Sequence, residues 1–206
     1  MEPPTATEIM VGSEALKDLE RRDAMYKMAT FLVGHFWGRP REMADGLGVL
    51  LLTWNQAFYR YGCFDFKDLE ECISKNLRTL EGFRERDIST YAASDDAAIK
   101  GLFGDFLGAL EARRQKPGSR MKSPVATAKA LHLLAPEFFP IWDQKIAQAY
   151  GCDYSSRPAE RYLLFMRKMQ SLVTALGFAK SSAPSDKTAL KVVDEYNYSR
   201  FTKGWI

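Results

Sequence analysis

The chain is predicted to be all-α. Three observations carry that reading. Apolar residues recur at helical spacing along most of the sequence. No segment alternates apolar and polar residues long enough to form a strand. Proline, glycine and short polar caps punctuate the helical runs where helices start and stop. Of 206 residues, 46% are apolar and 13% aromatic, enough for a sizeable core in one compact unit of eight or nine helices. No internal repeat divides it.

In chain order, residues 1–12 read as a flexible arm, because Pro3 and Pro4 oppose early order. Residues 13–206 form the helical domain. From Ser13 a helix is expected, with Leu16, Leu19, Met25, Met28, Leu32 and Val33 along one stripe. Pro40 suits the first turn of the next helix, expected over residues 41–61. Leu47, Val49, Leu50, Leu51, Leu52, Trp54 and Phe58 cover most of its circumference, which places it mid-fold. It also carries Thr53, Asn55 and Gln56, and buried amides require hydrogen-bond partners. Gly62 stops it, and Asp65 caps a helix whose Leu69, Cys72, Ile73, Leu77 and Leu80 face inward. A charged turn or short helix follows over residues 81–91. Ser94 is expected to cap an amphipathic helix in which Gly101, Gly104 and Gly108 allow close packing.

The run RRQKPGSRMK then gathers Arg113, Arg114, Lys116, Arg120 and Lys122 without an acid. Most such runs are solvated loops, but this one leads directly into residues 122–151, which organise the chain. Ser123 caps and Pro124 opens a helix bearing Val125, Ala128, Leu131 and Leu134. Pro136 and Pro140 hold an extended connection through Phe138, Phe139, Ile141 and Trp142. Asp143 then stands at the N-cap of a helix over 144–150, stopped by Gly151. Pro158 opens a long helix to Leu176, and Ser185 is expected to cap a last one through Tyr196. Tyr196, Tyr198, Phe201 and Trp205 form an aromatic tail that docks on the body.

Several classes fall away. A formal charge of +3 permits nucleic-acid contact without demanding it. Cys63, Cys72 and Cys152 are odd in number and lack CxxC spacing, so a reduced, cytoplasmic protein with no zinc or other metal is expected. The N-terminus MEPPTATE is neither basic nor apolar enough for a signal peptide, and no run reaches the length of a membrane span. A phosphate-cradling glycine loop, a nucleophile elbow and an HExxH motif are missing, and no cofactor is expected.

Within 122–151 two polar residues stand out. Lys129 lies in an apolar helix three residues before His132, so both project from one face. Asp143 follows an apolar wall, where a carboxylate can act on a substrate as readily as cap a helix.

The stretch PVATAKALHLLAPEFFPIWDQKIAQAYG resembles the core of the helix-hairpin-helix DNA glycosylase superfamily. Residues 125–130 correspond to its hairpin and helix start, and residues 139–143 to its apolar segment and aspartate. The upstream LLTWNQ, residues 51–56, is similar to the buried helix that presents a Ser-Gln-Gln type motif to a lesion pocket. The resemblance implies an all-α fold, base-excision repair of DNA and glycosidic hydrolysis assisted by Asp143. Some members add a nucleophilic lysine; Lys129 lies near that place, displaced by one residue. Pro124 and Ala126 stand where the family's hairpin glycines would be.

Three readings compete. In the first, a flipped base enters a pocket between residues 47–61 and 122–151. There Asp143 and Lys129 are catalytic, and Trp54, Asn55, Gln56, His132 and Trp142 bind the substrate. Arg113, Arg114, Lys116, Arg120 and Lys122 would grip DNA phosphates. In the second, the scaffold is a non-catalytic binding module. In the third, it is a protein-interaction domain whose Lys129, His132 and Asp143 are satisfied core groups.

Overall fold

A computed structural model describes residues 3–19, 23–55, 58, 62–113, 120–177 and 187–206, the side chains of Arg113 and Arg120 excepted. Nine α-helices are found among the described residues. They are α1 (Ala6–Leu19), α2 (Ala24–His35), α3 (Pro40–Trp54), α4 (Phe66–Arg84), α5 (Asp96–Ala109), α6 (Pro124–Leu134), α7 (Gln144–Ala149), α8 (Pro158–Ala175) and α9 (Ala189–Asn197). The only extended pairing among those residues is a two-residue antiparallel ladder, Ala112 with Met121 and Arg113 with Arg120, just before α6. The all-α class therefore holds.

Residues 6–12, read as part of a loose arm, instead begin α1, and Met1 and Glu2 lie outside the described residues. The backbone N–H and hydroxyl of Thr5 donate to the Glu8 carboxylate, and the Glu8 N–H donates back to Thr5 Oγ1. This capping box starts α1 at Ala6 despite the prolines before it. Ile9 is fully buried, and Gly12 lies so close to α9 that an added Cβ would sit 2.8 Å from the Tyr196 backbone.

The single stripe expected from Ser13 is two helices, with residues 20–22 outside the described set. On α2, Ala29 and Val33 are buried, whereas Met25, Met28 and Phe31 are exposed. Helix α3 packs between α2, α4 and α6, as its wide apolar face requires. It ends at Trp54 rather than running to residue 61, and Asn55 leaves the helix with φ −111° and ψ 87°. Thr53 donates its hydroxyl to the Val49 and Leu50 carbonyls, an arrangement that loosens a last turn.

Asp65 caps α4 as expected, accepting from the Lys67 N–H. Asp95, not Ser94, precedes α5, because a 3-10 turn over Ala93–Asp95 shifts the start of the helix. Gly101, Gly104 and Gly108 face open space, so they do not serve close packing. Their positions fall between the buried Ile99, Leu102, Phe103 and Phe106, on the outer side of the helix.

Ser123 Oγ accepts from the Ala126 N–H and caps α6. All residues from Ala126 to Leu134 are buried. Gly151, at φ +66°, ends the short α7. Ser185 lies outside the described residues; Thr188 caps α9 by accepting from the Lys191 N–H. A π-helical turn over Tyr198–Lys203 follows, and its Phe201 meets the rings of Tyr150 and Tyr196.

Candidate functional site

A cavity of about 850 Å³ opens where α1, the start of α2, the end of α3, α6, α7 and α9 meet. Its wall includes Trp54, Lys129, Asp143, Lys191, Asp194 and Glu195. The volume lies within the range of about 300–1,000 Å³ common for small-molecule sites.

Lys129 reaches the cavity from the middle of α6. Its Nζ donates to the Asn55 Oδ1 at 3.2 Å and to the Trp54 carbonyl at 3.3 Å, and it lies 5.5 Å from the Trp54 ring centroid. The Trp54 carbonyl can accept because α3 stops there, and the C-cap residue Asn55 adds its side-chain amide oxygen. Burial lowers the Lys129 pKa to about 8, only partly opposed by Asp194 and then Asp143, while Lys191 lowers it further.

Asp143 begins α7, as its sequence position implied. One carboxylate oxygen accepts from the Ile146 N–H at 2.8 Å, and the other accepts from the Thr202 hydroxyl in the π-helical turn. Its carboxylate therefore shares one cavity with Trp54 and Lys129 while being held from two sides.

Sequence reasoning did not find the far wall, which α9 supplies. Every residue from Leu190 to Asn197 is buried, including Lys191, Asp194 and Glu195. Lys191 Nζ lies 2.8 Å from Asp23, 3.6 Å from Asp194 and 3.8 Å from Glu195. The contact with Asp23 Oδ2 is an ion pair whose angle falls short of a hydrogen bond. The amine also sits 4.4 Å from the Tyr26 centroid and 5.3 Å from that of Trp54. Burial alone would lower its pKa, but Asp194, Asp23 and Glu195 overcome that and hold it above the ordinary lysine range. Glu195 accepts from the Ser13 hydroxyl and from Lys187 Nζ. Burial raises the Asp194 pKa to about 6 against the pull of Lys191. The available signal was the spacing Lys191, Asp194, Glu195, which sets a lysine and two acids on one helical face.

The other expected site residues divide between the cavity wall and the core behind it. His132 is fully buried behind the cavity. Its Nδ1 lies 2.7 Å from the Phe139 carbonyl, which can only accept, so Nδ1 carries the proton. Nε2 then accepts from the Tyr26 hydroxyl at 2.8 Å. Burial lowers the His132 pKa to about 3, so the ring is neutral, and both nitrogens are satisfied within the protein. Trp142 touches the cavity but is fully buried among Phe103, Tyr154, Tyr162 and Phe165, and its indole donates to the Pro124 carbonyl. It is wedged too tightly to act as a stacking platform. Trp54 is half-buried and stacks on Tyr26 at 6.1 Å. Asn55 is buried and serves Lys129 rather than lining the wall.

Gln56, Arg114 and Lys116, and the side chains of Arg113 and Arg120, lie outside the described residues; Lys122 is exposed. No group of three or more His, Cys, Asp or Glu among the described residues is arranged to hold a metal ion. No described helix is long and apolar enough to cross a membrane. No protein-family model matches the chain, and no curated protein or solved structure is significantly similar to it.

Proposed function

We propose that this protein is a glycosylase-like enzyme that takes a base extruded from DNA into the α3–α6–α7–α9 cavity and cleaves its glycosidic bond. The observation that supports this reading is the convergence of Lys129, Asp143 and Trp54 on one cavity of about 850 Å³. The order LLTWNQ, KALH, FPIWD along the chain resembles that of the helix-hairpin-helix glycosylases, with Lys129 displaced by one residue.

In this mechanism the sugar–base C–N bond breaks with its electron pair leaving on the base. Positive charge develops on the sugar, and the Asp143 carboxylate stabilises it. Negative charge develops on the base, and Lys129 hydrogen-bonds or protonates it. An amine with a pKa of about 8 is still protonated at neutral pH yet gives up its proton more readily than an ordinary lysine. Water then bonds to the sugar carbon, and the proton it releases restores Lys129 or passes to solvent. The basic run Arg113, Arg114, Lys116, Arg120 and Lys122 would hold the flanking phosphates.

A second reading, a binding module without chemistry, is favoured by one observation: both Asp143 oxygens are engaged by Ile146 and Thr202. A glycosylase screen on duplexes carrying normal and damaged bases separates the two. The enzyme reading expects strand scission at one base type after alkaline treatment, and its loss in Asp143→Asn. Asparagine is also a good N-cap, so that variant should keep its stability within about 1 kcal/mol. Binding of duplex with no scission on any base would leave the module.

A further inference from the structure

Asp194 is over nine-tenths buried, at 8% exposure, and lines the cavity. Its neighbours Asp143 and Glu195 both accept hydrogen bonds from protein groups. Asp194 accepts none among the described residues; its nearest cation is Lys191 at 3.6 Å, which lies closer to Asp23. A buried carboxylate with unfilled acceptor positions calls for donors from outside the chain. Lys129, on the wall of the same cavity, uses two of its three N–H donors on Asn55 and Trp54, leaving one for a ligand. Lys129 and Asp194 line the same cavity.

The cavity wall thus offers a two-oxygen acceptor and a single donor. Its complement is a flat edge with two adjacent N–H donors followed by a carbonyl. Among neutral nucleobases only guanine presents that order, as its 2-amino group, N1–H and O6. Adenine and cytosine each offer one amino donor beside an acceptor nitrogen, and thymine has one N–H between two carbonyls.

We propose that Asp194 and Lys129 form a guanine-edge recognition site. Asp194 accepts from N1–H and the 2-amino group, and Lys129 donates to O6. This deepens the proposed function by naming the base that the pocket accepts, and it rests on that reading only for the route by which the base arrives.

Titration of the full chain with guanosine, inosine, xanthosine, adenosine and cytidine, followed by tryptophan fluorescence, tests it. Guanosine should bind most tightly. Inosine, which lacks only the 2-amino donor, should bind about tenfold more weakly, the usual scale for part of a bidentate pair. Asp194→Asn offers one acceptor and one donor, and so matches the N1–H and 2-carbonyl of xanthosine. It should reverse the preference between guanosine and xanthosine, which a purely structural residue would not do. Equal affinity for guanosine and inosine in the wild-type chain, or no guanosine binding up to its solubility, overturns the proposal whether or not the variant folds. Scission at adenine or pyrimidine sites without guanine selectivity overturns it and leaves the enzyme reading standing. Guanosine selectivity without scission of any duplex does the opposite.

Discussion

Lys129 and Lys191 share one cavity and are held in opposite ways. Lys191 has three carboxylates within 4 Å, whereas Lys129 has only neutral oxygens as direct partners. Desolvation therefore wins at Lys129 and loses at Lys191. The Lys129 pKa of about 8 in the folded chain lies below its unfolded value of about 10.4. Between those values the unfolded chain binds more protons, so stability rises with pH across that window. Relative to Lys129→Met, the wild type should gain about 2 kcal/mol between pH 7 and pH 10. Urea unfolding of both proteins at the two pH values measures this, and a constant difference would show that the amine is not desolvated. If Lys129 is the proton donor, scission should also fall as pH passes 8.

Helix α1 and helix α5 both contain glycines, and the same substitution should act oppositely in them. Glycine inside a helix costs roughly 1 kcal/mol relative to alanine. At Gly104 nothing stands within 4 Å, so Gly104→Ala should stabilise by roughly 0.5–1 kcal/mol. At Gly12 a Cβ would lie 2.8 Å from Tyr196 Cα, a backbone atom that cannot swing aside. There the clash outweighs propensity, and Gly12→Ala should destabilise by about 1–3 kcal/mol. Thermal melts of the two variants decide this, and the same sign in both would remove the close α1–α9 approach.

This contrast also shows what could be read from the sequence at the level of elements. Caps of the Asp65, Ser123 and Asp143 kind were legible, because a short polar side chain satisfies its own helix's N–H groups. So were the proline starts of α3, α6 and α8. The Gly12 contact was not, because it depends on a helix nearly two hundred residues away in the chain. The early end of α3 was also missed, since Leu50 to Trp54 keep the helical pattern up to the break.

At the scale of the molecule, the cavity is assembled from distant parts of the chain. The Lys129–Asp143 wall was legible because both residues belong to one local motif. The Lys191–Asp194–Glu195 wall was not, because α9 reads as an ordinary amphipathic helix until α1 and α2 cover its polar face. The whole chain carries a net charge of only +3, so any affinity for DNA must come from local concentration of charge. The run Arg113, Arg114, Lys116, Arg120, Lys122 is the strongest such concentration in the sequence. If it makes three or four phosphate contacts, log affinity should fall with log salt at a slope of roughly −3 to −4. Replacing Arg113, Arg114 and Lys116 by alanine should flatten that slope equally on all sequences, with little change in melting temperature. Anisotropy titrations at several salt concentrations measure it, and a wild-type affinity insensitive to salt would remove DNA as the partner.

Thr202 and α9 bear on the order of synthesis. Asp143 receives one of its two hydrogen bonds from Thr202, Lys145 donates to the Thr202 carbonyl, and Ser199 donates to the Gly12 carbonyl. Residues 187–206 therefore close a site whose other walls leave the ribosome earlier. While that segment is still inside the exit tunnel, Ser13, Asp23 and Asp143 lack their α9 and Thr202 partners. A nascent chain of this protein can bury much of its core before residues 187–206 emerge, so the cavity takes its final shape only after that segment has left the tunnel.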